Sequence, residues 1–300
     1  MTKPIRIAVR LSALPFKHGV DPNLLRQLRV QIDRFRGSAT MLGVELMIGV
    51  DDGEVWARDS GGRDLPLVLL HPGWGDSSIW DPMVDLLDQL PGRYRCIRYD
   101  TRGFGRSPAP TAPFNQLGDL TAVLDFLEIG QATLVGHSGG GGTAIGFALA
   151  QPQRLDALIL AAPGLQDYPW PGDDPYGAEF EKLFAAGDQE GLVALGLRTW
   201  ATAGADPAAE AQIRTAVTAF CRLGEHERPD PPAYPRLGEL TVPAVVAIGD
   251  LDYPIVSECG QAIADRIPNC NTVVVPGADH MLPLRVPHLL VDLINEYRPK

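Results

Sequence analysis

The pentapeptide Gly136-His137-Ser138-Gly139-Gly140 is the segment of this chain best equipped for covalent chemistry. A serine hydroxyl is a weak nucleophile until the backbone presents it and a base takes its proton. Here an apolar strand pattern, Ala132-Thr133-Leu134-Val135, runs into the serine, and a helical pattern over 139–150 leaves it. A sharp strand-to-helix turn needs glycine two positions before and two positions after the central residue, whose own backbone it strains. The hydroxyl then stands at the carboxyl edge of a sheet, beside the free N–H groups of a helix N-terminus, where developing negative charge is favoured. A phosphate-cradling loop would need Gly-Lys-Ser/Thr, which is absent here, and a dinucleotide fingerprint would sit near the first strand.

Six histidines could supply the base. His137 adjoins Ser138 and is expected to point away from it across the turn. His71 ends a strand at the same edge and is expected to shape its loop; His18, His226 and His288 fall in the N-terminal arm, the inserted region and the last helix. His280 differs, because Pro276-Gly277-Ala278-Asp279-His280 follows the last apolar strand and precedes the last helix. A loop there brings an imidazole to the carboxyl edge. The third member is a carboxylate that fixes the imidazole's tautomer and stabilises its charged form. Gly249-Asp250-Leu251-Asp252-Tyr253-Pro254 offers two candidates. Asp252, deeper in the turn, is the choice, with Asp250 in reserve and Asp167 third.

A tetrahedral intermediate also needs backbone N–H donors. Gly139, next to the serine, is one. The other is expected from His71-Pro72-Gly73-Trp74; Pro72 has no N–H, so Gly73 or Trp74 must serve. Trp74, His137, Trp170 and Trp200 are the expected walls of a substrate pocket, although the aromatics near Trp170 and Trp200 could equally form a core of their own.

The elements that must hold these residues follow from apolar periodicity. Strand-like runs at 44–50 and 54–59 flank Asp51-Asp52-Gly53, a hairpin signal. Strands at 67–71, 94–100, 132–137 and 157–163 then alternate with helices near 78–90, 115–128 and 139–150. Such apolar strands belong in a parallel sheet covered on both faces. The rhythm stops over 164–236, where no strand is convincing. It resumes with strands at 244–250 and 271–277 and helices near 257–267 and 284–297. The expected organisation is an N-terminal extension over 1–40, a core over 41–163 and 237–300, and a helical cap over 164–236. Within the extension, residues 21–37 carry apolar side chains at helical spacing behind Asp21 and Pro22.

Composition narrows the function. Hydrophobic residues make up 45% and charged residues 21%, an ordinary globular balance. Neither a membrane-spanning run nor a secretory signal is apparent, so a cytoplasmic location is expected. Residues 1–40 carry eight Lys+Arg and two Asp+Glu, a net of +6, which leaves −17 of the overall −11 on the remainder. An acidic body argues against nucleic acid. The basic arm could pair with the acidic body of a second copy in a homodimer, or form a solvated helix face. Cys96, Cys221, Cys259 and Cys270 have no Cys-x-x-Cys spacing and are expected to be reduced thiols.

Over about residues 44–298 the chain resembles the α/β-hydrolase family. The resemblance rests on LLHPGWGDSSIWDPM, YDTRGFGRSPAP, LVGHSGGGG, IGDLDYP and PGADHMLP, in family order. It implies an α/β-hydrolase fold: a mostly parallel, doubly wound sheet with an inserted helical cap. It places Ser138, Asp252 and His280 on the family's triad. Pro72 departs from the His-Gly of many relatives. The expected function is serine hydrolysis of an ester, lactone or thioester of a small, largely apolar substrate, without metal or organic cofactor. Carbon–carbon hydrolysis, acyl transfer, lyase or cyclase chemistry on the same fold, and a non-catalytic ligand receptor, are the alternatives.

Overall fold

The computed structural model describes residues 8–10, 43–62, 64–90 and 94–298. The helix expected over 21–37, and His18, lie outside the described residues.

The strands are β1 (Ala8–Arg10), β2 (Val44–Val50), β3 (Gly53–Asp59), β4 (Leu65–Leu70), β5 (Tyr94–Tyr99), β6 (Ala132–His137), β7 (Leu155–Ala161), β8 (Ala244–Gly249) and β9 (Cys270–Val275). They form one sheet in the order β1-β2-β3-β5-β4-β6-β7-β8-β9. From β5 to β9 every neighbouring pair is parallel, while β3 pairs antiparallel with both β2 and β5. This is the expected α/β-hydrolase architecture. The parallel pairing of β1 with β2 was not anticipated.

Strands β6 and β8 are buried at every residue because helices cover both faces of the sheet. Alternate side chains serve opposite layers, as the period of a strand requires. Val68, Leu70, Leu134, Leu158 and Leu160 pack with Leu120, Val123, Ile145, Phe147 and Ile263. These come from α2 (Gln116–Phe126), α3 (Gly139–Ala150) and α7 (Pro254–Arg266). Leu67, Leu69, Val135 and Ile159 pack with Met83, Leu87, Leu290 and Ile294. These come from α1 (Asp81–Leu87) and α9 (Pro287–Tyr297). Each fully buried aliphatic side chain contributes roughly 1.5–3 kcal/mol.

Two local readings change. The β2–β3 turn consists of Asp51 and Asp52, since Val50 pairs with Gly53, and Asp52 itself takes the positive φ of 51°. Gly53 is glycine for another reason: a β-carbon there would lie 2.8 Å from the Arg102 guanidinium. The last helix is split into α8 (Leu282–Arg285) and α9 by Pro287, which has no N–H to continue the ladder.

Between β7 and β8 the chain leaves the sheet for α4 (Pro175–Ala185), α5 (Gln189–Trp200) and α6 (Pro207–Leu223). Asp174, Asp188 and Asp206 cap their first turns, accepting from Tyr176, Gly191 and both Ala208 and Ala209 amides. Pro175 and Pro207 supply the preset φ that starts a helix. These helices stand over the carboxyl edge of the parallel strands, where the loops after β4, β5, β6, β8 and β9 converge.

Candidate active site

Ser138 joins β6 directly to α3 with φ 53° and ψ −120°, a conformation a side chain rarely tolerates. The glycines around it are steric necessities. A β-carbon on Gly136 would lie 2.6 Å from Gly140 O, and one on Gly140 would lie 2.5 Å from Leu70 O. Gly141 and Gly142 abut Pro163 and Gly164 O in the same way. Glycines weaken a helix by about 1 kcal/mol each; at Gly140, Gly141 and Gly142 close approach to two neighbouring loops requires them. The turn is held by Ser138 N–H donating to Ala161 O at 3.0 Å, and by Gly141 and Gly164 N–H donating to Ser138 O at 2.9 and 3.0 Å. Ala162, which follows β7, carries a positive φ of 44° that its residue type did not signal.

His280 and Asp252 meet below the surface. Nδ1 of His280 lies 3.0 Å from both carboxylate oxygens of Asp252, with the two side chains 2% and 0% exposed. An ionised carboxylate accepts only, so Nδ1 carries the proton and Nε2 is the nitrogen left to take one. Asp252 is fixed in turn by the Tyr253 N–H at 2.6 Å. Asp250 braces the turn, accepting the Gly277 N–H at 2.6 Å. Asp167 accepts the Ala233 and Tyr234 N–H groups, both at 2.9 Å. Of the three carboxylates considered, Asp252 alone bonds His280.

The candidate oxyanion loop, which His71 was expected to shape, is held through a bond to Thr101 that the sequence did not reveal. Thr101 N–H donates to His71 Nε2 at 3.0 Å, which leaves His71 Nδ1 as the donor to Pro72 O at 2.8 Å. His71 is therefore neutral in this arrangement. The peptide between Pro72 and Gly73 is trans, so anchoring its carbonyl aims the Gly73 N–H the opposite way. A β-carbon on Gly139 would lie 3.8 Å from Gly73 N, so the two candidate amides are neighbours. Further along, Asp100 accepts the Ser77 and Arg106 N–H groups at 2.9 Å. Gln212 of α6 accepts from Asp76 N–H at 2.9 Å and donates to Ser78 Oγ at 2.8 Å, tying the same loop to the helical layer. These partners lie far apart in sequence, and only YDTRGFGRSPAP hinted at them.

The expected pocket walls are corrected. Trp74 turns into the helical layer, with its ring 4.9 Å from Phe220, 6.0 Å from Phe180 and 6.3 Å from Trp200. Gly196 on α5 admits it, since a β-carbon there would lie 2.7 Å from the indole. Trp170 donates Nε1–H to Leu165 O and stacks edge-on with Tyr168. Trp200 is buried against the His280 ring, 4.7 Å between centroids. His137 is fully buried, and its Nε2 lies 2.6 Å from His280 O. Burial, then the neighbouring His280, pushes the His137 pKa well below the ordinary value of 6.5, so Nε2–H donates. The cavity that opens beside Gly73 and Gly139, about 470 Å³, has none of these four among its walls. It is lined by Leu70, Tyr99, Phe104, Leu165, Phe220 and Leu223, with Gln116, Glu227 and Asp230 as polar neighbours.

The base's loop is also anchored to the helical layer. Buried Asp279 accepts from Met281 N–H at 3.0 Å, Ala203 N–H at 2.9 Å and Arg285 Nε at 3.1 Å. Arg285 also binds Asp206 and Gly204 O, and Thr202 Oγ donates to Leu251 O at 2.6 Å. No group of three metal-ligating side chains occurs among the described residues.

The chain is similar in sequence and structure to known hydrolases. An sn-1-specific diacylglycerol lipase of Danio rerio is 36% identical over 104 residues, 34% of this chain and 32% of that protein. The 2-hydroxymuconate semialdehyde hydrolase of Pseudomonas sp. (strain CF600) is 33% identical over 134 residues, 41% of this chain and 47% of that protein. The matched stretches thus span less than half of either relative. The enol-lactonase from Burkholderia xenovorans LB400 superposes with a TM-score of 0.68 over 84% of this chain and 98% of its own, at 24% identity. The model of the alpha/beta hydrolase family matches residues 67–293, which contain β5 to β9, all but the first two residues of β4, and the Ser138, Asp252 and His280 loops, and the chain belongs to that family.

Proposed function

We propose that this α/β-hydrolase is a serine hydrolase that cleaves an ester, lactone or thioester bond through an acyl-enzyme. The observation that carries the reading is the pairing of a strained, glycine-flanked Ser138 with a buried Asp252–His280 hydrogen bond at the same sheet edge. Strain of this kind costs about 1–3 kcal/mol and persists where function uses it.

His280 Nε2 takes the Ser138 proton as Oγ attacks the carbonyl carbon. The resulting oxyanion sits between the Gly139 and Gly73 N–H groups, and Asp252 stabilises the imidazolium. Collapse breaks the bond to the leaving alkoxide or thiolate, which receives the proton from His280. Water then gives a proton to His280, attacks the acyl carbon and releases the acid, and the proton returns to Ser138 Oγ. A small, largely apolar substrate fits the apolar residues that line the cavity. No helix among the described residues is long and apolar enough to cross a membrane, and we place this activity in the cytoplasm.

Labelling with a fluorophosphonate probe tests the reading. The wild type should be modified once, at Ser138, and Ser138→Ala should not react. Full labelling of Ser138→Ala, or no labelling of the wild type, would remove Ser138 as nucleophile.

A further inference from the structure

The cavity beside Gly73 and Gly139 has a chemically lopsided wall. Its ionisable lining groups are Asp167, Glu227 and Asp230, with Tyr99 and a His71 that the hydrogen bonds hold neutral; no Lys or Arg lines it among the described residues. Gln116 donates Nε2–H to Glu227 Oε1 at 3.1 Å, and Asp230 Oδ1 accepts the Leu117 N–H at 3.0 Å. The side chains of this wall that carry charge are thus all carboxylates, while the Gly73 and Gly139 amides stand beside the same cavity.

Arg102, two residues before the lining Phe104, is committed to Asp119 at 2.7 Å and to Asp51 O at 2.7 Å. Burial raises the pKa values of Glu227 and Asp230, with the bond from Gln116 opposing the rise at Glu227 and that from Leu117 opposing it at Asp230. A bound cation would relieve both. A carboxylate or phosphate in the same space would meet three like charges with no counter-ion.

We infer that the cavity receives a positively charged, hydrogen-bond-donating end of the substrate, a protonated amine, held by Glu227 and Asp230 while the carbonyl lies at Gly73 and Gly139. The inference deepens the serine-hydrolase reading by naming its substrate class: an ester, lactone or thioester with an amine on an apolar spacer. The spacer lies against Tyr99, Phe104, Phe220 and Leu223. The class excluded is the one with an anionic tail.

The test has a binding arm that is independent of turnover. Calorimetry on the full chain compares hexylammonium, 1-hexanol and hexanoate, which are all six-carbon chains and differ in the end group. Hexylammonium should bind about tenfold or more tighter than either, the gain expected of a charge-assisted hydrogen bond. Glu227→Gln with Asp230→Asn, and Glu227→Gln alone in case the pair fails to fold, should erase that preference. Hexanoate binding as tightly as hexylammonium, or a preference that survives in a folded variant, would overturn the inference. The turnover arm compares p-nitrophenyl 6-aminohexanoate with p-nitrophenyl heptanoate, which differ by ammonium for methyl. A preference for the amino ester should vanish in the same variants. Hexylammonium selectivity without hydrolysis of either ester leaves the cavity assignment standing and sinks only the serine-hydrolase reading. Hydrolysis with the heptanoate preferred does the reverse.

Discussion

His137 Nε2 sits 2.6 Å from the backbone oxygen of His280, so the residue next to the candidate nucleophile grips the backbone of the candidate base. The two rings lie 4.9 Å apart. The bond spans the gap between the β6 turn and the β9 loop, and it fixes where the His280 ring can be. His137→Leu would leave the His280 carbonyl buried without its donor, at a cost of about 1–3 kcal/mol. Its kcat/KM should fall by about 10–100-fold, as expected when a reacting group is misplaced. His137→Gln keeps a donor at similar reach and should recover most of the loss. A Leu variant with wild-type kcat/KM would show that the grip is unimportant.

The same residue predicts an acid sensitivity. Its folded pKa lies well below 6.5, so in the window below 6.5 the unfolded chain takes up a proton that the folded chain refuses. Stability is complete above 6.5 and declines as the pH falls toward the folded value. Urea unfolding of the wild type and His137→Gln between pH 5 and 7, on the order of one-unit steps, isolates this contribution. The difference between the two proteins should narrow as the pH falls; a constant difference would refute the assignment.

Ser138→Gly should separate stability from chemistry. Glycine accepts φ 53° without strain, so the variant gains about 1 kcal/mol, offset in part by unfolded-state entropy. Ser138→Ala retains the strain. Both should lose about 10⁴–10⁶-fold in kcat if the hydroxyl is the nucleophile. Thermal denaturation should rank Gly above Ala; the opposite order would mean that the turn is not strained in solution.

How much of this was legible depended on whether the controlling interaction was local. The bend at Ser138 was readable because Gly136 and Gly140 encode a steric requirement within five residues. The Asp252 and His280 loops were readable from their position after apolar strands, and Asp252, preferred to Asp250 for its depth in the turn, is the carboxylate 3.0 Å from His280 Nδ1. The cavity was harder to read. Size and hydrophobicity suggested Trp74, Trp170 and Trp200, but those same properties drew them into packing against other side chains. The cavity wall instead joins Tyr99, Phe104, Phe220 and Leu223 to polar residues such as Gln116 and Glu227, which nothing local links. The bond between His137 and His280 O was equally invisible, since adjacency to Ser138 says nothing about the loop after β9.

His71 should act on the rate without acting as a base. Its Nδ1–H anchors Pro72 O and so orients the Gly73 amide. His71→Phe frees that peptide to rotate. Loss of one oxyanion donor costs about 10²–10³-fold in kcat, and KM should change little because the ground-state carbonyl depends less on that donor. His71→Asn, which can still reach the adjacent carbonyl, should be less impaired. A rise confined to KM would instead assign His71 to ground-state binding.

Arg285 offers a test of whether the helical layer sets the geometry of the base. Its guanidinium joins Asp279, beside His280, to Asp206 and Gly204 O in the connection between α5 and α6. Arg285→Gln would leave the fully buried Asp279 with only backbone donors. Breaking a buried pair destabilises by about 3–5 kcal/mol; Arg285 is 16% exposed, and water reaching Asp279 should reduce that figure. Asp279→Asn with Arg285→Gln removes both charges and should recover stability. If the latch also positions His280, the double variant will be stable yet slow, with kcat lowered and fluorophosphonate labelling of Ser138 slowed in parallel. A double variant that is both stable and fully active would reduce the network to a structural brace.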